Sequence, residues 1–176
     1  MVLRKSESLD FRRSNMKVLY TGSFDPITLG HLDLIKRCSE KFESVVVTIF
    51  NNNSKDHFFT ANERYNLVSE AVKDLKNVIV DTTDDMAVNY ARKNNIDLIV
   101  RGLRAVSDYE YELKIASINN HLYPELETLF MIASPNYSFI SSSIVKEVAM
   151  FGGDISELVP ENVMEAIQGK LRRELK

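Results

Sequence analysis

The stretch TGSFDPITLGH occupies Thr21–His31 and directly follows the apolar run Val18–Tyr20. Gly22 lets a ligand approach the backbone closely after the strand that this run predicts. Thr28 is a typical helix N-cap, so the next backbone amides lie at the positive end of a helix dipole. Such a helix end favours bound anions, and a histidine in its first turn, His31, can place an imidazole on them. The stretch predicts an anion site at a strand-to-helix turn.

Short apolar runs alternate with helical patterns along the chain, and the β-branched run Ser44–Phe50 is typical of a strand buried on both faces. This alternation predicts an α/β fold with a single-domain, doubly wound, five-stranded parallel sheet. The predicted strands are Lys17–Thr21, Ser44–Phe50, Asn77–Asp81, Asp97–Arg101 and Glu127–Ala133. The predicted helices are Gly30–Phe42, Thr60–Lys73, Asp85–Asn94, Tyr109–Leu122, Ser142–Phe151 and Pro160 to about Leu171.

Composition excludes several classes of protein. The 176 residues carry a formal net charge of −3, without the basic excess of most nucleic-acid-binding proteins. The single cysteine, Cys38, excludes an intramolecular disulfide and a multi-cysteine zinc site. No apolar run has the length of a membrane span. We expect a cytoplasmic protein that binds neither nucleic acid nor membrane, with residues 1–15 as a flexible extension and 16–176 as the folded domain.

The loops that follow the predicted strands hold the polar, glycine-rich and basic parts of the chain. Their sequences are GSFDPITLGH, NNNSKDHFF, TTDDMA, RGLRAVSDYEYE and SPNYSFISSS. Ligands of open parallel sheets bind at the carboxyl ends of strands, so these loops indicate the functional edge. The P-loop pattern is absent, and no G-x-G-x-x-G follows the first strand, so the usual phosphate loops are excluded.

Three separated motifs resemble one known family. GSFDPITLGH resembles the T/H-x-G-H signature of the nucleotidyltransferase superfamily. Arg101–Arg104 with Tyr109–Glu112 is similar to the RGLR…DxEYE segment of bacterial phosphopantetheine adenylyltransferases, and Asn136–Ser143 is similar to that family's W/YSFISSS segment. The resemblance covers about Lys17 to Leu171 and implies a Rossmann-like nucleotidyltransferase fold. The implied reaction transfers the adenylyl group of ATP to 4′-phosphopantetheine, giving dephospho-coenzyme A and pyrophosphate in coenzyme A biosynthesis.

The resemblance assigns the catalytic roles to His31 and Lys55. His31 would donate to an α-phosphate oxygen, and Lys55 would contact both the attacking phosphate and the α-phosphate. A phosphate monoester is largely dianionic at pH 7, so the attack needs no general base. Catalysis would depend on alignment and on charge stabilisation in direct in-line attack. Asp56 beside Lys55 makes this loop less basic than the family pattern.

The resemblance also implies two binding sets. The ATP set is Ser23, Phe24, His31, Gly102, Leu103, Arg104, Glu112, Tyr137, Ser138, Phe139, Ile140, Ser141, Ser142 and Ser143. The substrate set is Ser23, Lys55, Ala87 and Arg101. Arg101 ends a predicted strand, so we expect its guanidinium to emerge at the edge of the sheet, where arginine suits forked phosphate contacts. The resemblance further implies Mg²⁺ as the ATP counter-ion without a protein metal site, a homohexamer built as a dimer of trimers, and coenzyme A as feedback inhibitor.

Other interpretations stay open. Within the same superfamily, the acceptor could be nicotinamide mononucleotide, or glycerol phosphate with CTP as the nucleotide. The RGLR and YSFISSS segments argue for phosphopantetheine as the acceptor. A regulatory module that binds nucleotide without turnover is a different class, against which His31 and Lys55 argue because a binder needs no groups aimed at the reacting phosphorus. A redox dinucleotide protein lacks its glycine fingerprint here.

Overall fold

The structure is a computed structural model that describes residues 14–51 and 56–174. Its strands are β1 (Ser14–Gly22), β2 (Phe42–Phe50), β3 (Val78–Thr83), β4 (Leu98–Leu103) and β5 (Glu127–Ile132). Its helices are α1 (Leu29–Lys41), α2 (Ala61–Val72), α3 (Ala87–Lys93), α4 (Val106–Leu122), α5 (Ser142–Met150) and α6 (Glu161–Glu174). In these ranges the strands form one parallel sheet in the order β3-β2-β1-β4-β5. The predicted α/β fold is therefore confirmed, element by element.

Several strand ends differ from the sequence-based expectation, among them the start of β1 and the end of β4. β1 begins at Ser14 rather than Lys17, because Ser14 already pairs with the start of β2 through a register irregularity. Residues 14 and 15 of the predicted extension thus lie in the sheet, and residues 1–13 lie outside the described residues. The expectation that Arg101 ends its strand is wrong. β4 continues to Leu103, because β5 supplies backbone partners as far as Ile132.

The sheet buries both of its faces, as the apolar runs predict. Val18 and Tyr20 of β1 pack on one face, in a cluster with side chains of α1, α2, α5 and α6. Leu19, between them, packs on the opposite face with Ile99 of β4 and with residues of α3. Successive side chains of a strand point to opposite faces, so one apolar run supplies both layers.

The strand order places a topological switch point between β1 and β4. The chain moves from β1 through β2 to the β3 edge, then crosses back to β4 on the other side of β1. The connections that leave β1 and β4 therefore diverge, and a crevice opens at the carboxyl ends of these two strands. No helix within the described ranges is long and apolar enough to cross a membrane.

Candidate active site

A cavity of about 310 Å³ lies at this crevice. It is lined by residues from both predicted binding sets, namely Ser23, His31, Arg101, Gly102, Arg104, Glu112, Tyr137, Ile140, Ser141, Ser142 and Ser143. Six further lining residues were not assigned to either set, namely Tyr20, Thr21, Gly22, Gly30, Leu34 and Ala133. The structure thus brings together three motifs that are up to about 120 residues apart in the sequence, while the role of each residue stays a prediction.

Some predicted residues lie elsewhere. Leu103, Ser138 and Phe139 are not among the lining residues. Phe24 is 1% exposed and lies beneath the cavity, with its ring 5.2 Å from the ring of His31 in an edge-on arrangement. Ala87 begins α3 and packs against the core of the other face. Lys55 lies outside the described residues, so its predicted role is untested.

His31 is held by a reciprocal capping contact with Thr28. The Thr28 hydroxyl accepts a bond from the His31 backbone amide at 3.3 Å, and the Thr28 backbone amide donates to Nδ1 of His31 at 3.1 Å. The position that His31 occupies is usually taken by Glu or Gln in such a capping box. Because Nδ1 accepts a hydrogen bond from the backbone amide, the ring's own proton belongs on Nε2. The contact therefore orients the imidazole and selects its tautomer.

The charge state of His31 follows from its surroundings. Burial, together with the positive charges of Arg104 and Arg101, lowers the pKa of His31 to about 4. The imidazole is therefore neutral at pH 7. A neutral ring with its proton on Nε2 can donate a hydrogen bond to an anionic oxygen without itself bringing a charge into the cavity.

Arg101 is oriented by protein partners. Its guanidinium donates to both carboxylate oxygens of Glu112, at 2.7 Å from Nε and 2.6 Å from a terminal nitrogen. Its other terminal nitrogen donates to the backbone carbonyl of Thr21 at 2.8 Å and to the hydroxyl of the same residue. Glu112, assigned to ATP by the resemblance, thus contacts the arginine assigned to the acceptor. The pair joins β4, β1 and α4 around the cavity.

Arg104 is tied more loosely. Its Nε lies 3.0 Å from a carboxylate oxygen of Asp108, which lies in the first turn of α4. The side chain of Arg104 remains 42% exposed. A terminal nitrogen approaches the carbonyl of Ile140 at 3.4 Å. Sequence reasoning missed Asp108, because Arg104 precedes α4 and helical spacing does not pair a residue outside the helix with one inside it. Two arginines near His31 make the cavity locally positive in a chain whose net charge is −3.

The serine segment contributes structure as well as lining. Ser141 is the N-cap of α5, and its hydroxyl accepts from the amide of Ile144 at 3.1 Å. The Ser142 hydroxyl donates to the carbonyl of Pro26 at 2.8 Å. The Ser142 hydroxyl thus joins the start of α5 to the turn between β1 and α1, so the predicted phosphate cradle also links two walls of the cavity.

Asp25 forms a buried clamp behind the cavity. It is 4% exposed and accepts bonds from the amides of Phe58 at 2.9 Å and Phe59 at 2.8 Å. It also accepts a bond from Nζ of Lys146 in α5 at 3.1 Å. Burial alone would raise the pKa of Asp25, but these bonds outweigh burial and lower it. Sequence reasoning missed this role because the partners are 33 or more residues away.

His57 and Asp85 lie away from the cavity. Nδ1 of His57 is 3.6 Å from Asp25, so His57 belongs to the clamp rather than to the lining. Asp85 pairs with Lys93 of α3. Within residues 14–51 and 56–174, no group of three or more His, Cys, Asp or Glu side chains could hold a metal ion.

Comparisons with known proteins agree with this geometry. Residues 19–148 match the model of the cytidylyltransferase-like family. The chain belongs to this family. The matched region contains the strands and loops that line the cavity, and the protein is accordingly a nucleotidyltransferase.

Two solved structures share the fold. The crystal structure of a candidate nicotinate-nucleotide adenylyltransferase from Vibrio parahaemolyticus has a TM-score of 0.67 at 20% identity, covering 92% of this chain and 97% of that one. A lipopolysaccharide core biosynthesis protein from Thermoplasma volcanium GSS1 has a TM-score of 0.50 at 25% identity, covering 69% of this chain and 98% of that one. At 20% identity, the likeness to the Vibrio parahaemolyticus structure shows the fold alone.

Gly30 tests whether the first turn of α1 receives a ligand. A Cβ at Gly30 would meet Tyr137 and Thr28 at 3.5 Å or more, which is ordinary contact, so the fold itself tolerates Gly30→Ala. The added methyl would project into the cavity, and we expect nucleoside triphosphate affinity to fall by about tenfold or more, since about 1.4 kcal/mol is a factor of ten. Calorimetric titration with Mg-ATP and Mg-CTP measures the affinity, and thermal unfolding checks that the variant is folded.

The matched control is Gly169→Ala in α6, where a Cβ would meet nothing within 4 Å. This control should leave nucleotide affinity unchanged. Unaltered affinity in Gly30→Ala would contradict the placement of the ligand against this turn.

His31 should remain neutral far below the usual histidine range. In the folded protein we expect protonation with a midpoint of about 4 and the Nε2–H tautomer above it, because burial and the two arginines disfavour the cation. The unfolded chain takes up this proton near pH 6.5, so the stability from neutral His31 is complete above that pH and is lost as pH falls from 6.5 towards 4.

Nitrogen-15 NMR of the histidine side chains, recorded as a function of pH, follows both the protonation and the tautomer of His31. The same titration in concentrated urea gives the protonation midpoint of the unfolded chain. A folded-state midpoint near 6.5 would contradict the effect of burial and of the two arginines. A proton on Nδ1 would show that the Thr28 contact does not set the tautomer.

Proposed function

We propose that this nucleotidyltransferase transfers the adenylyl group of ATP to 4′-phosphopantetheine, giving dephospho-coenzyme A and pyrophosphate. The observation that carries the proposal is the convergence of three motifs on one cavity. Segments Gly22–His31, Arg101–Glu112 and Tyr137–Ser143 all contribute walls. The first motif is common to the superfamily, whereas the other two resemble phosphopantetheine adenylyltransferases and support this acceptor.

The reaction needs one displacement at phosphorus. An oxygen of the acceptor phosphate forms a bond to the α-phosphorus of ATP, while the bond from that phosphorus to the bridging oxygen of pyrophosphate breaks and its electron pair leaves with pyrophosphate. The acceptor is already largely dianionic at pH 7, so no side chain has to remove a proton. The protein's task is to align the two substrates and to stabilise the charge of the transition state.

His31 is the proposed stabiliser. Its neutral imidazole donates from Nε2 to a non-bridging oxygen of the α-phosphate, in an orientation set by Thr28 before the substrates arrive. A donor that is already oriented needs no reorganisation as charge develops, and such donors are worth about 10²–10³ in rate. Lys55, as the resemblance implies, adds a mobile positive charge between the two phosphates.

The arginines supply the field around the phosphates. Arg101 lies at the acceptor side, where its bonds to Glu112 and Thr21 hold the guanidinium plane in one orientation. Arg104, which is more exposed, serves the phosphates of ATP. Mg²⁺ enters as the counter-ion of ATP, since a small hard cation keeps phosphate oxygens and water as ligands. Coenzyme A, which shares the pantetheine arm with the product, is the proposed feedback inhibitor.

A homohexamer is the proposed assembly, and one face of α4 supports self-association. Tyr111, Ile115, Ile118 and Leu122 recur at spacings of four, three and four residues, so they lie along one side of the helix. Tyr111 is 64% exposed and Ile118 is 55% exposed. A continuous apolar stripe of this kind is typical of a surface that another subunit covers.

The assignment of the acceptor predicts a selective assay. We expect pyrophosphate release from Mg-ATP with 4′-phosphopantetheine and none with nicotinamide mononucleotide or glycerol phosphate. His31→Ala should lower kcat by about 10²–10³-fold, the loss expected for one oriented donor, while Mg-ATP still binds. Replacement of the exposed histidine of α4, His121→Ala, is the matched control and should keep full activity.

The other outcomes separate the alternatives. Turnover with a different acceptor, or with CTP, would retain the chemistry at His31 and remove the pantetheine assignment. Binding of ATP without turnover on any acceptor would favour a nucleotide-binding regulatory module.

The assembly predicts a sharp effect of one surface substitution. In light scattering after size-exclusion chromatography, wild-type protein should have six times the chain mass of 20.1 kDa. Ile118→Lys places a charge in the apolar stripe, and we expect smaller species because an unpaired charge is costly to bury. Met150→Lys, on the 60% exposed methionine of α5, is the control and should leave the mass unchanged. A monomeric wild-type protein would refute the proposed assembly.

A further inference from the structure

Arg64 is a buried cation that none of the motifs includes. It lies in the first turn of α2 and is only 2% exposed. It does not line the cavity described above. Burying a guanidinium is costly unless its donors are satisfied, and hydrophobic residues of similar volume often replace buried charges without loss of stability. The partners that Arg64 selects therefore indicate what it does.

These partners are backbone and amide oxygens at two strand ends. One terminal nitrogen donates to the carbonyl of Ser23 at 2.8 Å and approaches the carbonyl of Phe50 at 3.5 Å. The other terminal nitrogen donates to the side-chain oxygen of Asn51 at 2.8 Å. Asn51 in turn donates its backbone amide to Thr83, just past the end of β2. Arg64 thus connects the turn after β1 to the ends of β2 and β3.

The bond to Ser23 acts at a strained point of the backbone. Phe24, the next residue, has φ = 46°, a left-handed conformation that residues with a side chain rarely adopt. Such a conformation persists only where the surroundings hold it. The Ser23 carbonyl and the Phe24 amide belong to the same peptide plane, so a hydrogen bond to that carbonyl restrains the rotation about φ of Phe24.

The ring of Phe24 contacts His31, so the backbone conformation of Phe24 affects the position of the imidazole. Its ring lies 5.2 Å from the ring of His31 and 5.7 Å from the ring of Tyr20, in edge-on contact with both. A rotation at φ of Phe24 would move this ring and remove support from one side of the imidazole. A shift of about 1 Å in a catalytic group can cost about 10² in rate.

We propose that Arg64 is a positioning residue for nucleotidyl transfer, acting through the Ser23 carbonyl and the Phe24 ring on the placement of His31. This inference deepens the proposed function and rests on His31 as the group that stabilises the transition state. It does not depend on which acceptor is used. Arg64 touches neither substrate in this scheme, so its loss affects the chemical step more than the binding of ATP.

The experiment compares Arg64→Met with Arg64→Lys and with a matched control, Val68→Ala. Val68 is fully buried one turn further along the same helix, so its truncation destabilises α2 without touching the turn after β1. We expect Arg64→Met to lower kcat by about 10–100-fold, the scale of a small misplacement, with Kd for Mg-ATP within about twofold. Val68→Ala should retain wild-type kcat at a temperature where all variants are folded.

Arg64→Lys gives the second, milder comparison. A single ammonium nitrogen cannot occupy the positions of two guanidinium nitrogens, so it can serve either Ser23 or Asn51 but not both in the present geometry. We expect a kcat between those of wild type and Arg64→Met. If Arg64→Met does not fold, Arg64→Lys alone tests the proposal. An unchanged kcat in Arg64→Lys would overturn it.

Backbone hydrogen exchange separates this proposal from the choice of acceptor. The amides of residues 22–25 should exchange faster in Arg64→Met than in Val68→Ala, whether or not 4′-phosphopantetheine is a substrate. The kinetic arm uses whichever acceptor supports turnover, so failure of the pantetheine assignment leaves it intact. Equal loss of kcat in Arg64→Met and Val68→Ala, with equal exchange at residues 22–25, would make Arg64 merely structural and refute the inference.

Discussion

The exchange of hydrogen bonds between Thr28 and His31 is the contact around which the candidate site is arranged. Capping a helix requires an acceptor for its first free amides, and here the residue that completes the cap is a histidine facing a cavity. The same contact therefore begins α1, turns the imidazole and assigns its proton to Nε2. A requirement of helix stability and a requirement of the proposed phosphate chemistry are met by one pair of side chains, so neither can change without the other.

The cations of this region illustrate how a mildly acidic protein concentrates positive charge locally. Arg101 and Arg104 each have a carboxylate partner on α4, and the buried Arg64 uses carbonyl and amide oxygens. In each case the partner limits rotation of a long side chain, so for Arg101 and Arg104, which line the cavity, less entropy remains to be lost on binding. Burial is the main cause of the lowered pKa of His31, and the positive field that the paired arginines still project into the cavity lowers it further.

Several independent restraints converge on the turn between β1 and α1. Asp25 is held by two amides and Lys146, Pro26 accepts from Ser142, and Ser23 accepts from Arg64. A left-handed phenylalanine in the middle of this turn explains the need for them, since strain persists only where neighbours over-determine the conformation. The restraints come from α2, α5 and the segment before α2, so the site is rigid only when the whole domain is folded.

The sequence by itself determined the order and type of the elements, because strand and helix periodicities and the caps at Thr28 and Thr60 are local properties. It also located the functional edge and most of the lining residues, since parallel strands share one carboxyl edge and the motifs follow those strands. Tertiary structure decided what local patterns do not encode. The pairing of Arg101 with Glu112, the Asp25 clamp and the reach of Arg64 to Ser23 join residues 11 to 121 positions apart. The end of β4 likewise depended on pairing with β5. The neutral charge of His31 depended on burial and on two arginines that only the folded chain brings near it.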